Sequence, residues 1–252
     1  AWDGVRDPEF IGLDNWSRLV GDEAVLDSLK VSAVLTVLCW CIQTPVALLL
    51  GVWAAGPQRT RAALIAVFFL PILLSSAAVA LIWGALLDPN FGLPAPLGGL
   101  GSPLGSERWA IVTVAFVLSW QFIPLHTMLY QAAARQIPRM LYDAATIDGA
   151  SRRQQLTKIT IPQLRNTIVA SSIMIVVGSL TYFETLLILT DGGPGTSTAI
   201  LPFRMYSEGF RAYEMGYASA IAVGLVLVGT ALSLLLVKVS GYARMRSTLE
   251  GL

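Results

Sequence analysis

Five long apolar stretches, with most of the charge confined between them, constrain this chain more than any other feature. A helix needs roughly 20 mostly apolar residues to cross a bilayer core. Ser28–Trp53, Ala62–Leu87, Trp109–Gln131, Asn166–Thr190 and Gly216–Val237 each supply that length. In hydrocarbon, every backbone N–H and C=O must find its partner within the protein, which leaves helices or closed barrels. Unbroken apolar runs of this length select helices. The expected fold class is all-α, a polytopic membrane helix bundle with five spans. Composition agrees: only 13% of residues are charged, and the mean hydropathy is +0.66. A soluble domain carries about 25% charged residues. The net charge of +1 provides no basic patch, so nucleic acid is not an expected partner.

Basic residues near span ends favour the cytoplasmic side. One set of connecting segments holds Arg59 and Arg61, six basic residues from Arg135 to Arg165, and Lys238, Arg244 and Arg246, which is 11 of the 17. The opposite set holds the other six, beside seven acids between Asp3 and Asp27. Residues 1–27 are therefore expected outside, 28–238 in the membrane with a cytoplasmic loop at 133–163, and the tail 239–252 in the cytoplasm. An external start at Ala1 without a preceding apolar run leaves two readings, a removed leader or a further helix upstream.

Few residues offer site chemistry. Cys39 and Cys41 lie two apart in one span and point in different directions, so they read as buried small side chains. His126 is the only histidine, and no metal site is expected. Lys30, Lys158 and Lys238 follow Leu29, Thr157 and Val237, so there is no phosphate-binding Gly-Lys-Ser/Thr. One histidine and scattered serines make no hydrolytic triad. The chain is not expected to be an enzyme and has no catalytic residues of its own.

Glu184 is the one acid within an apolar stretch, where a charge calls for a cavity or a partner. With Tyr182 and Phe183, and with Trp120 and Gln121 from another span, it offers the hydrogen bonds and aromatic faces a polar substrate needs. Pairing with another helix or subunit is the alternative. Pro45, Pro71 and Pro124 each remove a backbone donor and tend to kink their helices. Gln43, Thr44 and His126 are expected to bond backbone groups freed by Pro45 and Pro124, with a proton relay as the sharper reading of His126. Asn15-Trp16-Ser17 fits a glycosylation sequon and is read as chance.

The segment between the third and fourth spans carries the strongest pattern. Pro138 suits a helix start, Leu141, Ala144, Ala145 and Ile147 give an apolar face, and Gly149 suits the positive φ that ends a helix. Pro162 is expected to limit a second short helix. Within it stand Asp143-Ala144-Ala145, three residues, Gly149, nine residues, and Ile159-Thr160-Ile161-Pro162. This resembles the Glu-Ala-Ala signature loop of permeases from binding-protein-dependent ABC importers. All spacings are kept, and Asp143 and Ile161 replace Glu and Leu. Thr190-Asp-Gly-Gly-Pro-Gly-Thr-Ser-Thr198 and Phe10-Ile-Gly-Leu-Asp-Asn-Trp16 resemble segments of the sugar-type permeases in that superfamily, so the likeness spans nearly the whole chain.

The resemblance implies the type I importer permease fold and, because Phe10–Trp16 resembles the segment that follows the first helix in those proteins, a further helix upstream and six spans in all. It implies that Tyr142, Asp143, Ala144, Ala145, Asp148, Gly149, Ile159 and Pro162 couple the chain to a separate ATPase that holds ATP and magnesium. It also implies a homologous second permease in a heterodimer, two ATPase subunits, an extracytoplasmic solute-binding protein and a sugar or polyol substrate. The location implied is the bacterial cytoplasmic membrane. An ATP-independent transporter or channel is the second reading, expected to show ionisable groups in several spans and internal repeats. A non-transporting membrane scaffold is the third.

Overall fold

The structure, a computed structural model, describes residues 2–56, 66–93 and 103–240. The tail from residue 241, Arg59, Arg61, Arg244 and Arg246, and the start of the second apolar stretch lie outside the described residues. All regular structure among the described residues is helical: α1 (Asp14–Gly21), α2 (Glu23–Ala54), α3 (Ser76–Leu86), α4 (Glu107–Arg135), α5 (Arg139–Ile147), α6 (Arg165–Ser179), α7 (Phe183–Leu189), α8 (Leu201–Tyr206) and α9 (Met215–Ser240), with shorter helical turns such as Leu70–Leu73, Arg152–Gln155 and Ile161–Gln163.

α2, α4 and α9 are each long and apolar enough to cross a membrane. They cover the first, third and fifth expected spans, and α2 and α4 run continuously through Pro45 and Pro124. The other two spans are not continuous. The second breaks after the turn Leu70–Leu73, where Ser75 takes an extended conformation and its hydroxyl accepts the Ala78 N–H as a new helix cap. The fourth breaks between Ser179 and Phe183, where α6 ends and α7 begins. The turn sequence Arg152–Gln163 meets α6 at 68°. Hydropathy reports how apolar a stretch is and not whether its hydrogen-bond ladder is unbroken. Glu184 therefore lies in the first turn of α7, where an acid is favoured by the helix dipole.

Contacts divide the described residues into two compact units, one drawn from 1–39, 74–118 and 175–232 and the other from 40–73, 119–174 and 233–252. The first is centred on Val25, Leu201, Tyr217 and Ile221, against which Leu19 and Leu29 pack. Polar ties reinforce it. Ser32 Oγ accepts the Leu201 N–H at 2.9 Å and donates to the Ser28 carbonyl. Thr36 and Ser179 hydroxyls meet at 2.7 Å. At the charged end Arg18 pairs with Glu214 and Glu208, Arg204 pairs with Glu208 at 2.8 Å, and Tyr217 donates to Asp22 at 2.7 Å. α1 contributes to this end. Its amphipathic pattern was present in residues 14–21, but the stretch is too short for a hydropathy reading to register.

The second unit is centred on Ala47, Ile123 and Tyr130, with Phe68 and Ile168 packed against them. Gly51 lets α2 meet α4 almost backbone to backbone. Gln131 Nε2 donates to the Ala54 carbonyl at 3.1 Å, and Trp40 Nε1 to Ser172 Oγ at 2.8 Å. Small residues at such crossings, with occasional interhelical hydrogen bonds, are how helices adhere where burial from water supplies no drive.

Three polar expectations are corrected here. His126 bonds Ser171 Oγ through Nδ1 at 2.9 Å, not a backbone group freed by Pro124, because α6 presents a hydroxyl to it. The Gln43 amide is fully buried and bonds no backbone group freed by Pro45; neither its O nor its N has a partner among the described residues. Cys39 is buried as expected, but Cys41 is exposed, as a residue two positions along a helix must turn to another face.

Candidate functional site: a helix presented by residues 138–163

α5 starts after Pro138, whose ψ of 131° is extended, and ends at Asp148, with Gly149 at φ +75°. That left-handed conformation suits glycine, and a Cβ there would meet nothing within 4 Å. Ser151 then starts the next turn as a full capping box: its hydroxyl accepts the Gln154 N–H, and the Gln154 side chain accepts the Ser151 N–H. The chain continues helically through Leu156–Thr160, a π-helical turn, and through Pro162 to Gln163. Pro162 sits inside the last turn, and the arm ends one residue later at Gln163. Buried Leu164 leads into α6.

Side-chain bonds fasten α5 to this second arm. The Tyr142 and Thr160 hydroxyls meet at 2.8 Å, across 18 residues. Gln155, itself buried, donates to Thr146 Oγ1 and to the Ala150 carbonyl, each at 3.2 Å. Held in this way, α5 has no buried residue of its own. Met140 and Ile147 are 71% and 87% exposed, and Leu141 is exposed beside them. This nine-residue helix thus turns Met140, Leu141 and Ile147 outward, while Tyr142 and Thr146 bind its own support.

Of the coupling candidates, Tyr142 does supporting work within the loop. Asp143, Ala144, Asp148 and Pro162 are exposed, Ala145 and Ile159 are half-buried, and Gly149 forms the bend. Asp143 enters no ion pair among the described residues. Sequence reasoning missed Thr160, Gln155 and Ser151, which hold the geometry; the Ser-x-x-Gln spacing was the available signal for the cap.

The substrate-pathway candidates are divided between the two units. In the first, Glu184 is exposed and Tyr182 half-buried, and Phe183 lies 5.0 Å from the Tyr206 ring. Tyr206 in turn stacks on Phe210 at 5.4 Å. This aromatic row was not expected, because α8 and the turn after it carry no periodic signal. In the second unit Gln121 is buried and Trp120 half-buried in α4. Among the described residues no cluster of His, Cys, Asp or Glu could hold a metal ion.

The turn after α7 explains its sequence. The Thr190 and Thr198 hydroxyls meet at 2.8 Å, and Thr198 also donates to the Gly193 carbonyl at 2.8 Å. Gly192 and Gly195 take positive φ, and a Cβ at Gly192 would lie 2.5 Å from the Phe203 ring. Two threonines eight apart close a loop that glycines allow to bend.

Residues 47–241 match the family described as binding-protein-dependent transport system inner membrane component. The chain is 33% identical over 238 residues to a probable ABC transporter permease protein, YurN, of Bacillus subtilis, covering 91% of this chain and 82% of that one. It is 30% identical over 246 residues to MsmF of Streptococcus mutans, a multiple sugar-binding transport system permease protein, covering 95% and 84%. Its fold matches a chain of a bacterial alginate ABC transporter solved with an alginate pentasaccharide-bound periplasmic protein. The TM-score is 0.80 at 23% identity, over 91% of this chain and 83% of that one.

Proposed function

Since this chain belongs to the family of binding-protein-dependent transport system inner membrane components, a multi-pass permease subunit of an ABC importer, we propose that it carries a carbohydrate inward, driven by ATP hydrolysed on a separate subunit. The observation that carries this reading is α5, a short helix with exposed Met140, Leu141 and Ile147 on a hydrogen-bonded support. We assign the ATPase contact to that helix, with Asp143, Ala144 and Ala145 on it, Asp148 at its C-cap and Gly149 just beyond.

Movement imposed on α5 passes to the 152–163 arm through the Tyr142–Thr160 and Gln155–Thr146 bonds, and from there to α6. The loop acts as a bent lever because both arms are tied to each other. Ile159 and Pro162 belong to the second arm. Alternating access then follows if the ATPase subunits close and open on α5.

The carbohydrate class is supported by the sugar-binding system to which MsmF belongs. Sugars offer hydroxyls and flat C–H faces; Phe183, Tyr206 and Phe210 supply rings, and exposed Glu184 follows Phe183 in the first turn of α7. Tyr182 belongs to the same proposed contact in the first unit, and Trp120 and Gln121 are proposed separately as substrate contacts in the second. Basic residues at the 135–165 end support a cytoplasmic loop and C-terminus. The expected assembly is a heterodimer with a homologous permease, two ATPases with ATP and magnesium, and a solute-binding protein in a bacterial cytoplasmic membrane.

The test is reconstitution in proteoliposomes with those partners. Uptake of a sugar that requires both ATP and the ATPase subunits is expected. Uptake that proceeds at the same rate with the ATPase omitted contradicts the reading.

A further inference from the structure

A groove of about 710 Å³ lies beside α5 in the second unit. Its walls carry three arginines from three different elements: Arg135 in the last turn of α4, Arg139 in the first turn of α5, and Arg152 at the start of the following turn. No lining residue is acidic. Among the described residues none of the three enters an ion pair, whereas Arg18, Arg204 and Arg211 each meet a carboxylate. Val52, Ala55 and Leu156 also line the groove and supply its apolar wall.

Three like charges around one groove repel one another, and an anion among them relieves that repulsion. The carbonyl ends of α2 and α4 oppose an anion, but each amounts to about half a charge against three whole ones. The first turn of α5 has no side-chain cap and adds positive potential next to Arg139. Guanidinium forks match carboxylate and phosphate alike. A carboxylate has two oxygens to share among three forks, whereas a phosphate ester presents more acceptors and carries a carbon chain for the apolar side. Tyr142, whose hydroxyl is bound to Thr160, puts the groove against the loop that supports α5.

We propose that this groove binds a phosphate ester, the phosphate held by Arg135, Arg139 and Arg152 and the attached carbon chain lying along Val52, Ala55 and Leu156. A phospholipid headgroup and a soluble phosphate ester share this chemistry. The proposal does not depend on what the chain transports.

The purified transporter is examined in two arms. In the first, native mass spectrometry counts phosphatidylglycerol against phosphatidylcholine retained from mixed nanodiscs. In the second, the detergent-purified, delipidated protein is titrated calorimetrically with glycerol 3-phosphate and inorganic phosphate. Near an anionic surface each basic residue is worth about fivefold in affinity, so the triple variant R135Q/R139Q/R152Q is expected to bind about a hundredfold more weakly. Arg153→Gln, which does not line the groove, is expected to change nothing. Preferential phosphatidylglycerol retention assigns a lipid headgroup, and binding in the second arm assigns a soluble ester; both support the site. If the triple variant unfolds, the single variants, each expected to lose about fivefold, carry the test. The proposal is overturned if neither arm shows binding, if the arginine variants bind as the wild type does, or if Arg153→Gln loses as much. It is equally overturned if the variants lose only an acidic protein partner while both arms stay unchanged.

Discussion

Replacing Gly51 by alanine tests how closely α2 and α4 meet. A Cβ at Gly51 would lie 2.6 Å from Tyr130 Cβ, 2.9 Å from the Thr127 carbonyl oxygen and 3.0 Å from the Gln131 nitrogen. Carbon atoms settle at about 3.5–4.0 Å, so the helices must part by about 1 Å at this point. Two of the three obstacles are backbone atoms, and Tyr130 is fully buried, so no side chain can swing aside. Overpacking of this kind costs about 1–3 kcal/mol. Weakening the Gln131–Ala54 hydrogen bond adds about 0.6 kcal/mol between membrane helices. Alanine returns about 0.5–1 kcal/mol of helix propensity. The net is about 1–3 kcal/mol of destabilisation. At about 2–4 °C per kcal/mol this lowers Tm by roughly 2–12 °C in a thermal-unfolding assay in detergent. Gly84→Ala is the matched control in α3, where the nearest atom is Leu189 Cδ1 at 3.8 Å. Only the propensity gain applies there, and Tm should rise by up to about 4 °C. If both substitutions shift Tm in the same direction, the close-contact reasoning is refuted.

Ser32→Ala strips the buried Leu201 N–H of its acceptor and should cost about 1–3 kcal/mol in the same assay. Ser219→Ala, whose hydroxyl bonds only its own helix, should stay within about 0.5 kcal/mol. Burial works against the Asp22 carboxylate, yet the bonds from Tyr217 and from the Ala24 and Val25 N–H groups outweigh it and hold its pKa below the ordinary 3.8. Stability from those bonds is therefore complete above the unfolded-chain pKa and lost as pH falls through the folded one. The Tm gap between wild type and Tyr217→Phe should be widest near neutral pH and close below 3.8. At Gly149 the positive φ, and not crowding, sets the cost. ATP-driven uptake should fall in the order Asn, Ala, Val at this position, since Asn tolerates the left-handed region and β-branched residues do not.

Length and apolarity made α2, α4 and α9 legible, because a long ladder in hydrocarbon leaves a long apolar run. The breaks at Ser75 and at Leu180–Tyr182 were not, since a hydropathy window averages over them. Ser75 did carry the signal of a helix cap, but within an apolar run it is read as a tolerated small residue. In the candidate site, the spacing from Asp143 to Pro162 gave the outline, and Gly149 gave its bend. What holds the two arms together was hidden, because Tyr142–Thr160 and Gln155–Thr146 join residues 18 and nine apart. Likewise, nothing near His126 in sequence points to Ser171, 45 residues on. Pairings of that kind arise from packing and leave no periodic trace.

The most direct test of the central assignment is a photo-crosslinking residue placed at Ile147, 87% exposed at the end of α5. In the assembled importer it should capture an ATPase subunit, with a yield that changes when ATP is added. Capture of lipid or of another partner alone, with the ATPase present and hydrolysing ATP, contradicts the account.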